Sequence, residues 1–157
     1  MKTILFPSDF STLSDSALEH ASTLALNMGA KLLVLHVEEP PAVYGEGRRY
    51  YGIPEPDNVA LRAMLSELKP TDARVRYEQR MVRGFPAAEI LRVAEETGVE
   101  MIVMGTHGRT GLERFLTGSV AEAVVRRAKC PVLTIKSPQM SPAATATFSS
   151  TTVDKES

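Results

Sequence analysis

A single cysteine, Cys130, in 157 residues excludes an intramolecular disulfide and with it the disulfide-stapled secreted classes. No apolar run is long enough to span a bilayer. The opening Met1-Lys2-Thr3-Ile4-Leu5-Phe6-Pro7 lacks the longer apolar stretch and small-residue cleavage site of a signal peptide. These absences set the expectation of a cytoplasmic chain with no membrane partner. An excess of one charge sign is missing too. Lys and Arg number 18 against 19 Asp and Glu, a net charge of −1, so no global field favours nucleic acid as a partner. Three dispersed histidines and one cysteine give no metal-ligand spacing. The sequence does contain a hydrophobic fraction of 43%, enough for a core at a length that suits one domain.

Apolar runs and helical periodicities alternate along the chain. Buried strands are expected at Thr3–Pro7 and Lys31–Val37, and further strands at Glu100–Met104 and Pro131–Lys136. A half-exposed edge strand is expected at Ala73–Val82. Helical spacing recurs in Ala17, Leu18, Ala21, Leu24, Ala25 and Met28, with Gly29 as the stop. A second helix is expected over Asn58–Leu68, with Val59, Leu61, Leu65 and Leu68 inward and Pro70 ending it. The third opens at Pro86, a residue suited to the first helical position, buries Ile90, Leu91 and Ala94, and stops at Gly98. The fourth spans Ser119–Ala128 with Val120, Ala123, Val124 and Ala128 inward. Glu38–Asp57, rich in Pro, Gly, Tyr and Arg, is long for a loop and so reads as functional or mobile. Residues 138–157, mostly Ser, Thr, Ala and Pro, bury little and are expected to be a disordered tail behind a domain of residues 1–137.

Five strands alternating with four helices imply an α/β fold with a parallel sheet covered on both faces. Ligands of such sheets bind beyond the carboxyl ends of the strands, where the strand order reverses. The loops at that edge are Pro7-Ser8-Asp9, residues 38–57, Arg83-Gly84 and Gly105–Gly118. Two familiar phosphate motifs are absent. No Gly-Lys-Ser or Gly-Lys-Thr completes a P-loop, and the first strand–helix turn has no glycine for a dinucleotide fingerprint. Present instead is G-x2-G-x9-G-S, from Gly105 through Gly108 to Gly118-Ser119, leading from an apolar strand into a helix. Glycines allow close backbone approach. A helix start offers unpaired N–H groups and a positive dipole end, so this is a phosphate site.

That loop resembles the ATP-binding branch of the universal stress protein family. Three other fragments agree in order and spacing: Ile4-Leu5-Phe6-Pro7-Ser8-Asp9-Phe10-Ser11, Leu33-Val34-Leu35-His36-Val37 and Cys130-Pro131-Val132-Leu133. The resemblance covers residues 1–137. It implies a Rossmann-like open sheet of five parallel strands, order 3-2-1-4-5, with four helices on both faces. It implies ATP, with or without Mg²⁺, in the crevice, and a homodimer formed through the last strand. Carried over by position, Pro7, Ser8, Asp9 and Val37 contact adenosine, Val37 through its backbone. Met104, Gly105 and Gly108 line the ribose and α-phosphate, and Gly118, Ser119 and Val120 hold the β- and γ-phosphates. Arg109, in the same loop, is placed to pair with a phosphate.

Plainer readings stand beside these. Read plainly, the glycines only turn the chain, but two separate loops fall at one predicted edge. Asp9 serves equally as a cap of the first helix and as a ligand contact. Met104 and Val37 also read as plain strand residues. His107 reads as a solvated loop residue, His36 as a satisfied core histidine, His20 as a helix-surface residue and Cys130 as a small buried hydrophobe. Arg48, Arg49, Tyr50 and Tyr51 read first as a mobile loop with solvated arginines and second as a cluster that closes over a nucleotide or contacts a partner. The expected function is cytoplasmic ATP binding that acts in stress response through nucleotide-dependent signalling or partner binding. A slow ATPase or phosphotransferase is the enzymatic alternative, and a scaffold with an unused pocket is the third reading. Phosphoryl transfer needs metal ligands and a positioned nucleophile. No second acidic residue is clearly placed to hold a metal, so binding without fast turnover is expected. Val132, Leu133 and Ile135 form an apolar edge that pairing with a second copy would cover.

Overall fold

A computed structural model describes residues 1–40, 49–50, 53–54, 58–106 and 119–136. In chain order the elements are β1 (Thr3–Pro7), α1 (Thr12–Met28), β2 (Lys31–Glu38), β3 (Arg49–Tyr50), β4 (Ile53–Pro54), α2 (Asn58–Glu67), β5 (Tyr77–Arg83), α3 (Pro86–Thr97), β6 (Met101–Gly105), α4 (Ser119–Arg127) and β7 (Val132–Ile135). Five strands form one sheet in the order β5-β2-β1-β6-β7, all neighbours parallel. Counted within this sheet, that is the expected order 3-2-1-4-5. The two-residue strands β3 and β4 pair antiparallel as a separate ribbon inside the segment read as a loop.

The continuous apolar character of β1 and β2 follows from helices on both sides of the sheet. Successive side chains alternate faces. Ile4, Phe6, Leu32, Val34 and Val103 pack with Ala17, Leu18, Ala21 and Ala25 of α1 and Leu65 of α2. Leu5, Leu33, Leu35, Ile102 and Met104 pack on the other side with Ile90, Leu91, Val93 and Ala94 of α3 and Ala121 and Val124 of α4. Gly29 and Gly98 end α1 and α3 in the left-handed conformation, at φ 61° and 62°. Their chains then reconnect through Ala30 N–H to Ala25 O and Val99 N–H to Ala94 O, the double-bonded helix stop that glycine permits.

Several expectations need correcting. Val59 is 75% exposed rather than inward. Leu61 and Leu65 are buried, and Leu68 packs partly against the core. Residue 59 lies six positions before Leu65, about 240° around the helix, so it faces away. In α4 it is Ala121 that is buried, while Ala123 is only half-buried. The edge strand begins at Tyr77 rather than Ala73, because Asp72 holds the chain in a turn. Its carboxylate accepts the Arg74 backbone N–H at 2.9 Å and the Arg74 guanidinium at 2.7 Å. Cys130 is half-buried against the α3–α4 core rather than fully enclosed.

Candidate functional site

The strand order runs outward from β1 through β2 to β5 on one side and through β6 to β7 on the other. The reversal therefore lies between β1 and β6. Two segments leave the sheet at its carboxyl edge there: Ser8–Ser11, connecting β1 to α1, and Thr106, which follows β6.

The first segment is tied down by short-range polar contacts. Ser8 N–H donates to Leu35 O at 2.8 Å. Phe10 N–H donates to Ser8 Oγ at 3.1 Å, and Ser14 Oγ–H donates to the same oxygen at 3.1 Å. Ser11 N–H donates to Asp9 Oδ1 at 3.0 Å. Ser11 is the cap position of α1, with φ −74° and ψ 156°, and it makes no side-chain cap bond. Asp9 thus closes a turn ahead of the helix and does not occupy the cap position itself. His36, 1% exposed on β2, meets Ser8 O through Nδ1 at 2.9 Å. Its ring stacks on Phe10 with centroids 4.0 Å apart and planes at 27°.

At the second segment, Met104 is buried in the α3–α4 core and Gly105 is half-buried. Thr106, 2% exposed, donates its N–H to Ile135 O at 3.0 Å, which anchors the start of the glycine loop to β7. Val37, next to β1 on β2, turns its side chain into the same core. Glu38 O accepts Gly84 N–H at 2.9 Å. The Asn58 amide, nitrogen toward Glu38, donates to both carboxylate oxygens at 3.0 and 3.1 Å. The start of α2 and the end of β5 are thereby joined to this edge. Ser119 is exposed at the first position of α4, and Val120 packs partly against the core. Because α4 returns the chain toward the start of β7, its N-terminus lies at the carboxyl edge of the sheet.

The structure thus brings Pro7, Ser8, Asp9, Val37, Met104 and Gly105 to the strand ends at or beside the switch point, and it begins α4 at Ser119 and Val120. Gly108, Arg109 and Gly118 lie outside the described residues, as do His107, Arg48 and Tyr51. Sequence reading did not assign Phe10 or Thr106 to this site. It placed His36 in the core but not against the turn. His20 is exposed on α1, its Nδ1 2.8 Å from Ser16 O.

The profile of the universal stress protein family matches residues 1–136. The chain belongs to the universal stress protein family. It is 34% identical to a universal stress protein of Methanocaldococcus jannaschii over 149 residues, covering 88% of this chain and 84% of the relative. Among solved structures it is similar to a universal stress protein in complex with cAMP, with 27% identity, a TM-score of 0.66 and coverage of 86% of this chain and 96% of that one. It is also similar to the universal stress protein from Archaeoglobus fulgidus in complex with dAMP, with 25% identity, a TM-score of 0.63 and coverage of 87% and 98%. The universal stress protein fold therefore carries the α/β sheet, and the adenine-nucleotide complexes belong to those neighbours.

A separate groove of about 410 Å³ lies at the opposite, amino-terminal end of the sheet, lined by residues including Leu91, Ala94, Val99 and Cys130. Burial pushes the Cys130 thiol pKa up from its ordinary value, which disfavours the reactive thiolate.

Proposed function

We propose that this universal stress protein binds an adenine nucleotide, ATP in the first instance, in the crevice between the carboxyl ends of β1 and β6. The observation that carries the proposal is the reversal of strand order between these strands, which aligns the Ser8–Asp9 turn with the start of the glycine loop. The neighbours' complexes with cAMP and dAMP support adenine as the base. In this reading Pro7, Ser8, Asp9 and the Val37 backbone meet the adenosine. Met104, Gly105 and Gly108 line the ribose and α-phosphate. Gly118, Ser119 and Val120, aided by Arg109, hold the outer phosphates at the N-terminus of α4, where amide N–H groups and the helix dipole stabilise an anion. Any Mg²⁺ would accompany the phosphates.

The biological role that fits is a cytoplasmic stress-response protein whose partner contacts depend on nucleotide. Binding biases such a state only to the extent that ATP prefers it. A homodimer through β7 belongs to the same reading. β7 is an edge of the sheet, and Leu133 on it is 36% exposed.

Nucleotide analysis of the purified protein tests the reading directly, together with a thermal shift on adding ATP. At a ligand concentration 100 times Kd the stabilisation is about 2.7 kcal/mol, which corresponds to roughly 5–11 °C for a domain near this size. The Gly118→Val, Ser119→Ala variant is expected to lose both bound nucleotide and the shift. Retained ATP affinity in that variant would remove the phosphate assignment. Linear phosphate release well above that variant's would favour the ATPase.

A further inference from the structure

We propose that Phe10 and His36 are positioning residues that set Asp9 for recognition of the nucleoside end of the ligand, an inference that rests on the nucleotide reading above. Phe10 is the one non-glycine with positive φ among the described residues, at 62°. Aromatic side chains adopt this conformation only where their surroundings hold them there. A glycine at position 10 would take the same φ without strain, so turning the chain does not by itself require a phenylalanine.

The ring has a specific task. It stacks on His36 at 4.0 Å, while the Phe10 N–H is held by Ser8 Oγ at 3.1 Å. His36 supplies the other half of the clamp, with Nδ1 donating to Ser8 O at 2.9 Å. A leucine would fill an apolar strand position in β2, but it would offer neither this N–H nor a flat face. The residues on both sides of Asp9 are therefore fixed to one buried imidazole. Asp9 itself stays half-buried at the crevice, its Oδ1 accepting Ser11 N–H at 3.0 Å. All of these contacts lie at the end of β1, and none is made to α4, where the phosphates are assigned. The clamp thus bears on the nucleoside end of the nucleotide.

A double-mutant cycle on the full chain tests the assignment, with ATP, adenosine and inorganic tripolyphosphate titrated by calorimetry. Phe10→Gly removes the ring and relaxes the backbone. It is expected to weaken ATP and adenosine by about tenfold, as coupled neighbours do, and to leave tripolyphosphate within about twofold. Phe10→Tyr keeps the flat ring and is expected to bind like wild type. Because Phe10 acts through Asp9, the Asp9→Ala, Phe10→Gly double variant is expected to bind ATP no more weakly than Asp9→Ala alone. Should Phe10→Gly not fold, His36→Leu carries the same expectations. Multiplied losses in the double variant, or equal losses for ATP and tripolyphosphate, overturn the inference while leaving the nucleotide reading intact. A wild-type chain that binds neither ATP nor adenosine overturns both.

Discussion

The packing of α2 can be tested by two substitutions that the apolar pattern alone would treat alike. Leu65 is buried against Ile4, Phe6 and the other residues of the α1–α2 core, whereas Val59, on the same helix, is 75% exposed. Removing a buried leucine side chain costs about 2–5 kcal/mol, through lost transfer energy and the cavity left behind. Domains of this kind are stable by roughly 5–15 kcal/mol, so Leu65→Ala is expected to remove a large fraction of the total. With roughly 2–4 °C per kcal/mol, a loss near 3 kcal/mol lowers the melting temperature by about 6–12 °C. Val59→Ala removes little buried area and exchanges a β-branched residue for the best helix former. Its effect is expected within about 0.5 kcal/mol of zero, on the stabilising side. Urea unfolding followed by circular dichroism would read both as shifts in midpoint at constant slope. A loss below about 1 kcal/mol for Leu65→Ala, or a comparable loss for Val59→Ala, would refute the rotation assigned to α2.

Three further outcomes are expected. Gln79 on β5 donates its amide to Leu65 O at 2.8 Å and Leu68 O at 2.9 Å, tying down the end of α2, so Gln79→Ala is expected to cost about 1–3 kcal/mol in the same urea assay. The hydrogen-bonded Arg74 holds the Asp72 carboxyl at about 2, against an ordinary 3.8; its stabilising contribution is present above pH 3.8 and disappears as pH falls through 2, and an NMR titration of Arg74→Ala should return the Asp72 midpoint toward 3.8. Burial raises the Cys130 pKa, so its reaction with an aromatic disulfide reagent at neutral pH should be slower than that of a free thiol, and a faster reaction would contradict the packing at Leu91 and Val99.

Much of this architecture is legible in the residues themselves. Uninterrupted apolar runs marked the central strands because both faces of the sheet are covered. Gly29 and Gly98 marked helix ends because the left-handed stop favours that residue. What could not be read depended on neighbours distant in sequence. Nothing local marks Phe10 as left-handed, since Gly, Asn and Asp are the usual occupants of that region. Its conformation makes sense only once β2 lies beside β1 and presents His36. The anchoring of Thr106 likewise needs β7 paired to β6, and the Gln79 contact with α2 needs β5 beneath that helix. Val59 failed for a different reason. Its hydrophobicity predicts burial, yet folded surfaces carry many apolar side chains.

The distribution of buried polar groups bears on where function lies. Thr3, Ser8, Ser14, Ser22, His36 and Thr106 are the buried polar residues among those described. Ser22 back-bonds within α1, to Leu18 O at 2.7 Å. Thr3 pairs with Lys31 in the sheet, at the end away from the crevice. The other four gather at the carboxyl edge. Ser8, Ser14 and His36 bond to one another's atoms around the β1–α1 turn, and Thr106 bonds across to Ile135. Burying such groups is unfavourable unless they are hydrogen-bonded, and apolar residues would pack the same space without that requirement. Departures from a purely apolar interior are expected where a fold serves a site. Their concentration beside the strand-order reversal is thus an argument for the crevice that uses neither the glycine motif nor the family resemblance.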